Sequence, residues 1–250
     1  MIKYYTKVCN LFYPSNLKAV SKKRYLQLDS NSNIFFNKIE LITRKSKKII
    51  NINQINLQKI VIRKKIKKDI KQIIKKKKFK GLNLNKTPLI MGVINLTPDS
   101  FSDGGKFNYK NRGIDHALQM FQSGANIVDV GGESTRPGSN SINKKLEWSR
   151  IGKTIKSISK KIPLSLDTRK SEVMEKGIKS GVKIINDVSG FSYDPKTINI
   201  LKKYKIPFVI QHSQGTPKNM QNKPYYKNEL LDIYDFFEDK IKFLRSIGIK

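Results

Sequence analysis

MGVINLTPDSFSDGG, residues 91–105, joins two stretches of opposite character. With Leu89 and Ile90 before it, Met91-Gly92-Val93-Ile94 makes a short continuous apolar run, as expected of a strand buried on both faces of a parallel sheet. The next nine positions, 95–103, crowd in the polar side chains of Asn95, Thr97, Asp99, Ser100, Ser102 and Asp103. Pro98 stiffens that loop and Gly104-Gly105 free its exit. An ordinary strand-to-helix turn needs two or three such residues, so the excess reads as a loop that holds a polar ligand.

The same alternation continues outward. Strand-like runs at 89–94, 127–130, 164–166, 184–186 and 208–210 are separated by helical patterns near 112–123, 144–160, 171–180, 195–203 and 227–246. A β-then-α order with right-handed crossovers predicts an α/β fold, a parallel sheet curling toward a (β/α)8 TIM barrel. Five βα units are legible, and Ile247-Gly248-Ile249-Lys250 reads as the approach to a sixth strand. An open five-stranded sheet leaves two edges bare, so a piece of a longer barrel is expected. The polar clusters fall at or just after the C-terminal ends of the predicted strands, where barrel enzymes assemble their sites.

The loop at 91–105 closely resembles the first signature of the dihydropteroate synthase family of the folate pathway. Asp129-Val130-Gly131-Gly132-Glu133-Ser134-Thr135-Arg136-Pro137-Gly138, Ser165-Leu166-Asp167-Thr168, Ile185-Asn186-Asp187-Val188 and His212-Ser213-Gln214-Gly215-Thr216-Pro217 continue the resemblance in the family's order. It implies a transferase of tetrahydrofolate biosynthesis. Its substrates would be 6-hydroxymethyl-7,8-dihydropterin diphosphate and p-aminobenzoate, its products 7,8-dihydropteroate and pyrophosphate, and its barrel a TIM barrel. It further implies that Asn95 ligates Mg²⁺ and that Thr97, Pro98, Asp99, Ser100, Phe101 and Ser134 belong to site loops. Thr135 would bind the pterin diphosphate, with Arg136 beside it for an anionic group. Asp167 and Asn186 would pair with the pterin edge, a row of alternating donors and acceptors.

Other roles stand beside these. Asp167 could cap the next helix, since Thr168 and Ser171 follow it. Asp129, expected at its strand end, either orients neighbours or touches ligand. Gly131-Gly132 and Pro137-Gly138 read as hinges of a closing loop. The resemblance implies that His212 binds substrate; it could instead be a satisfied polar residue, and Gln211-His212-Ser213 stands where the family usually has Met-His-Met. The family's Lys, Arg-x-His and further Asp from the last strands have no counterpart in these 250 residues.

Residues 1–86 lie outside the resemblance and read as a basic extension of unknown role. Up to residue 87 there are 24 Lys or Arg against Asp29, Glu40 and Asp69, a large share of the net charge of +32. Much of that charge fits coding drift, because the chain is rich in Lys, Ile and Asn throughout. Its Lys runs lack the aromatic and Gly interleaving of a single-strand binder, so no specific nucleic acid is expected. Residues 34–43 could make one or two short strands. Ile60, Ile62, Ile66, Ile70, Ile73 and Ile74 mark a basic amphipathic helix over 57–78, expected to pack on the barrel, and 81–86 reads as a linker. One cysteine, Cys9, excludes an intrachain disulfide and a thiolate metal cluster. With no transmembrane-length apolar run and no secretory core, a cytoplasmic protein without membrane partners is expected, an organelle transit peptide staying open. A homodimer is compatible with the completed barrel.

A pterin-binding methyltransferase barrel is a rival reading, opposed by the Asn-x-Thr-Pro-Asp-Ser-Phe-Ser loop at 95–102. An inactive fragment that binds only pterin or polyanions is another. No Ser-His-Asp constellation, paired carboxylates or Walker-type phosphate loop is present.

Overall fold

A computed structural model describes residues 2–15, 24–29, 33–76, 89–97, 111–134, 136, 138–215 and 223–249. It divides into two compact units, 1–87 and 88–250. The segments at 77–88, which include the expected linker, and at 98–110 lie outside the described residues.

The first unit is an antiparallel sheet backed by one helix. β3 (Phe35–Ile42) is its centre, paired along its length with β1 (Tyr5–Phe12) on one side. On the other side it pairs with the two-residue β2 (Leu26–Gln27) and with β4 (Lys47–Asn51). A 3₁₀ turn over Ile52–Leu57 leads to α1 (Ile60–Ile73). The isoleucine stripe is real, but its destination differs from the expected one. Ile66 and Ile70 are buried against Phe36, Ile39, Leu41 and Ile50 of their own sheet, while Ile60 faces solvent. β1 and β2 fall before residues 34–43, the stretch expected to hold strands, in sequence with no sustained periodicity. Lys, Asn and Thr interrupt β1, and only Tyr5 of its eight residues is fully buried.

In the second unit each predicted strand and helix forms. The parallel strands β5 (Met91–Asn95), β6 (Ile127–Gly131), β7 (Leu164–Asp167), β8 (Ile184–Asp187) and β9 (Phe208–Ile210) lie side by side in chain order. Between and after them run α2 (Arg112–Gln122), α3 (Lys144–Ile158), α4 (Ser171–Lys179), α5 (Thr197–Tyr204) and α6 (Glu229–Ser246). These are five consecutive units of a (β/α)8 barrel. Alternation along the strands sorts their two faces. Ile94, Val128, Val130, Leu164, Leu166 and Ile185 face the helices and pack on Ala117, Ile151, Ile155, Val173 and Met174. The opposite face carries Val93, Asn95, Asp129, Gly131, Ser165, Asp167 and Asn186, and Val93 there is 56% exposed.

Two helix starts, those of α3 and α6, are fixed by side-chain caps. Asn143 Oδ1 accepts from Leu146 N at 2.9 Å to cap α3, and Asn228 Oδ1 does the same for Leu231 N at 3.1 Å in α6. α6 closes on Gly248 at φ 87°, with Ile249 N bonded to Leu244 O at 2.9 Å and Ile249 buried.

Candidate active site

Strand register builds the site. Asn95 lies opposite Gly131, Gly131 opposite Asp167, and Asp167 opposite Asn186, so one row of residues crosses the C-terminal ends of four strands. Gly131 is the gap in that row. A Cβ there would stand 2.8 Å from Asn95 Oδ1 and 3.5 Å from Asp167 Oδ2, so only glycine leaves room for both oxygens. Its neighbour Gly132 is similarly confined, by Ile151 and the Glu147 carbonyl. Neither glycine has a positive φ, so what requires glycine at both positions is close approach and not a left-handed backbone. Gly138, at φ 81° and with open space where a Cβ would be, does need glycine's freedom.

Asp129 is the third of five residues in β6, one layer below the row instead of at the strand end. It is buried, and its Oδ2 accepts from Asn186 Nδ2 at 2.9 Å. Asn186 Oδ1 in turn accepts from Gln211 Nε2 at 3.3 Å. Gln211 therefore brings a polar group to the row where the family's usual Met would not. Asp129 Oδ1 and Ser165 Oγ, both buried, have no hydrogen-bond partner among the described residues. Buried polar atoms rarely stay unpaired, which marks this floor as a place for ligand donors.

Electrostatics single out Asp167. Burial, reinforced by the negative charges of Asp129, Glu147, Asp187 and Glu133, pushes its carboxyl up to about 8. Burial also raises Asp129, opposed by Asn186 and by the Ser165 hydroxyl, which lies near without reaching hydrogen-bond geometry. Asp167 does not cap α4. The N-cap is Lys170, and the first amide of that helix, Ser171 N, donates to Asp194 Oδ2 at 2.8 Å. The row and its floor thus combine two carboxyl groups that burial makes reluctant to ionise with an amide oxygen, and suit a ligand whose N–H donors draw those carboxyls into their accepting, ionised form. Asn95 Oδ1, facing Asp167 across Gly131, is an oxygen donor of the kind a hard cation takes. No group of three His, Cys, Asp or Glu among the described residues could cage a metal, so such an ion would keep waters or ligand oxygens, as Mg²⁺ does.

The other expected residues fall into four groups. Thr97 is buried directly beyond the row. Ser134 shapes its loop, its Oγ accepting from Arg136 N at 3.4 Å and its carbonyl accepting from Ser139 Oγ at 2.7 Å, while Arg136 is exposed. Pro98, Asp99, Ser100, Phe101 and Thr135 lie outside the described residues. His212 is held among aromatics, with Nε2 3.2 Å from the Tyr226 hydroxyl and its ring 4.5 Å from that of Phe236. Its buried Nδ1 has no partner among the described residues.

Sequence reasoning missed a buried ionic cluster beside the row. Glu133, Glu147, Arg169 and Lys170 are each less than 10% exposed and form interlocking pairs. Burial opposes ionisation of Glu133, but hydrogen bonds from Arg169, Lys170 and the Ile142 amide outweigh it and hold its carboxyl below the usual range. The available signal was two consecutive cations, Arg169-Lys170, placed just after a strand end that sits among apolar strands.

Comparison with known proteins agrees with this geometry. The family described as pterin binding enzyme matches residues 91–250. Dihydropteroate synthase of Clostridium beijerinckii is 39% identical over 173 residues, which are 68% of this chain and 62% of that enzyme. A Yersinia pestis dihydropteroate synthase crystallised as a sulfonamide drug complex superposes with a TM-score of 0.65 at 36% identity, covering 70% of this chain and 64% of that one. The Burkholderia cenocepacia enzyme complexed with 7,8-dihydropteroate gives a TM-score of 0.58 at 30% identity, covering 68% and 57%. The chain spans about three-fifths of the length of the curated relatives it matches. With its family pattern, its relatives and its strand-end row in agreement, the chain belongs to the pterin-binding enzymes.

Proposed function

We propose that this chain supplies the pterin-binding part of a dihydropteroate synthase, in which the amine of p-aminobenzoate displaces pyrophosphate from 6-hydroxymethyl-7,8-dihydropterin diphosphate. The observation that carries the reading is the row Asn95, Gly131, Asp167 and Asn186, with Asp129 beneath it. Asp167 and Asn186 meet the donor and acceptor edge of the pterin, and the unpaired Asp129 Oδ1 waits below for a further N–H. Carboxylates around the ring favour positive charge on the pterin as the bond to the diphosphate lengthens. Arg136, exposed on the loop after β6, offers a guanidinium to the departing anion. Asn95 would hold Mg²⁺ through its amide oxygen, and the ion supplies charge neutralisation of the diphosphate when bound. The arylamine attacks as a neutral nucleophile, so no base is needed beforehand; as the C–N bond forms and the C–O bond breaks, the nitrogen gives up one proton to water or to the released pyrophosphate.

A cytoplasmic protein fits this role, and no helix among the described residues is long and apolar enough to cross a membrane. The test is calorimetric titration with the pterin diphosphate and Mg²⁺, followed by assay of pyrophosphate and dihydropteroate after p-aminobenzoate is added. Binding of the pterin, weakened at least tenfold in Asp167→Asn, supports the reading, since an amide cannot ionise to accept the ligand's N–H groups as the carboxyl can, a loss of roughly 1–3 kcal/mol. A folded chain without pterin affinity would sink it.

A further inference from the structure

Beside the pterin row lie four buried charges that pair with one another. Arg169 Nε donates to Glu133 Oε2 at 2.8 Å, and Lys170 Nζ is shared between Glu133 Oε1 at 2.8 Å and Glu147 Oε2 at 2.5 Å. Thr168 Oγ1 donates to the remaining oxygen of Glu147. The Arg169 guanidinium lies over the Tyr193 ring, 4.0 Å from its centre. Burying two ion pairs is costly, and apolar residues of the same volume would often be at least as stabilising. Stability alone therefore does not explain the cluster.

Its connectivity does. Glu133 opens the loop between β6 and α3, and the same carboxylate accepts from Ile142 N at 2.9 Å near the loop's far end. One side chain thus gathers both ends of the segment that carries Ser134, Thr135 and Arg136. Arg169 and Lys170 then tie that side chain to the residues that directly follow Asp167. Arg150 Nη1 adds a bond to Gly132 O at 2.9 Å from α3.

We propose that Glu133, gripped by Arg169 and Lys170, is a positioning residue that fixes the β6–α3 loop relative to Asp167 and so sets affinity for the diphosphate end of the ligand, not its pterin ring. The proposal rests on the pterin reading above. A loop released from the grip leaves the ring site intact but lets the anion-binding residues drift, a selective loss that a general weakening of the fold would not give.

The full chain is compared with Glu133→Gln and with the charge-balanced double variant Glu147→Gln/Lys170→Met, which guards against misfolding from an unpaired buried charge. Trp148 fluorescence checks that each is folded. Calorimetry with 6-hydroxymethyl-7,8-dihydropterin diphosphate and with the same pterin lacking the diphosphate reads the split. The expected result is at least a tenfold loss for the diphosphate and less than twofold for the bare pterin, with Lys170→Arg closer to the parent than Lys170→Met. Amide exchange over 134–143 should rise in the variants without ligand. Equal losses for both pterins, or no loss, overturn the proposal. If the parent binds neither pterin, the functional reading fails and takes the affinity claim with it, while the exchange data still show whether the grip holds the loop.

Discussion

Replacing Asp167 by Asn should stabilise the pterin-binding unit at alkaline pH while damaging its site. In the fold this carboxyl ionises near 8 rather than at its ordinary 3.8, chiefly because it is buried and then because Asp129, Glu147, Asp187 and Glu133 are close. The native state therefore holds a proton that the unfolded chain has already released. Folding stability falls as pH rises from about 4 to about 8, by at most about 1.4 kcal/mol per pH unit. Summed over that window the limit is about 6 kcal/mol, which relaxation and water entry cut substantially. We expect about 2–3 kcal/mol of it to appear between pH 5 and 8. Trp148, the one tryptophan, packs against the core of this unit from α3 and gives a local signal for urea unfolding. Measured at pH 5, 6.5 and 8, Asp167→Asn should gain on the parent steadily with pH. A gap that stays constant, or that narrows toward pH 8, would refute the argument that Asp167 is held protonated.

Other perturbations test separate parts of the molecule. Gly131→Ala should displace the Asn95 carboxamide and reduce Mg²⁺-dependent ligand binding at least tenfold by calorimetry, with a small change in the unfolding midpoint. Gly177→Ala should lower stability by about 1–2 kcal/mol despite alanine's better helix propensity, since its methyl would press into the buried Leu166 side chain; Trp148 unfolding reads this. Ile66→Ala should cost the first unit about 2–4 kcal/mol, seen as faster amide exchange in β3, and unchanged exchange there would mean the helix contributes little to that core. The first unit should bind polyanions such as heparin weakly, with an affinity that falls steeply as salt rises, measured by retention on a heparin column.

The barrel strands were legible because each is a short apolar run flanked by turn residues; β6, β7 and β8 have the two-sided burial such runs suggest, whereas β5, expected to share it, leaves Met91 and Val93 exposed. The N-terminal strands were not, because β1 is half exposed and its lysines and asparagines hide the alternation. Helix α1 was found by its stripe, but a stripe states only that one face is buried and not what covers it. At the site, Asp167 and Asn186 stood out by type and place. The depth of Asp129 did not, since it depends on where β6 ends relative to its neighbours. The Glu133, Glu147, Arg169 and Lys170 cluster was invisible for another reason. Charged residues read singly suggest solvent, and the contacts of Glu133 with Arg169 and Glu147 with Lys170 span 36 and 23 residues.

Asn186 shows what such a framework achieves. One proton of its amide is taken by Asp129 and one lone pair of its carbonyl by Gln211, so the group cannot turn end for end. What it presents outward is a fixed pair, one donor beside one acceptor, and a ring whose edge offers the same order twice over meets a mismatch there. Asp167 alongside is different in kind, because gaining or losing its proton near pH 8 exchanges a donor for an acceptor. The row thus carries one hydrogen-bonding position that is constant and one that pH rewrites.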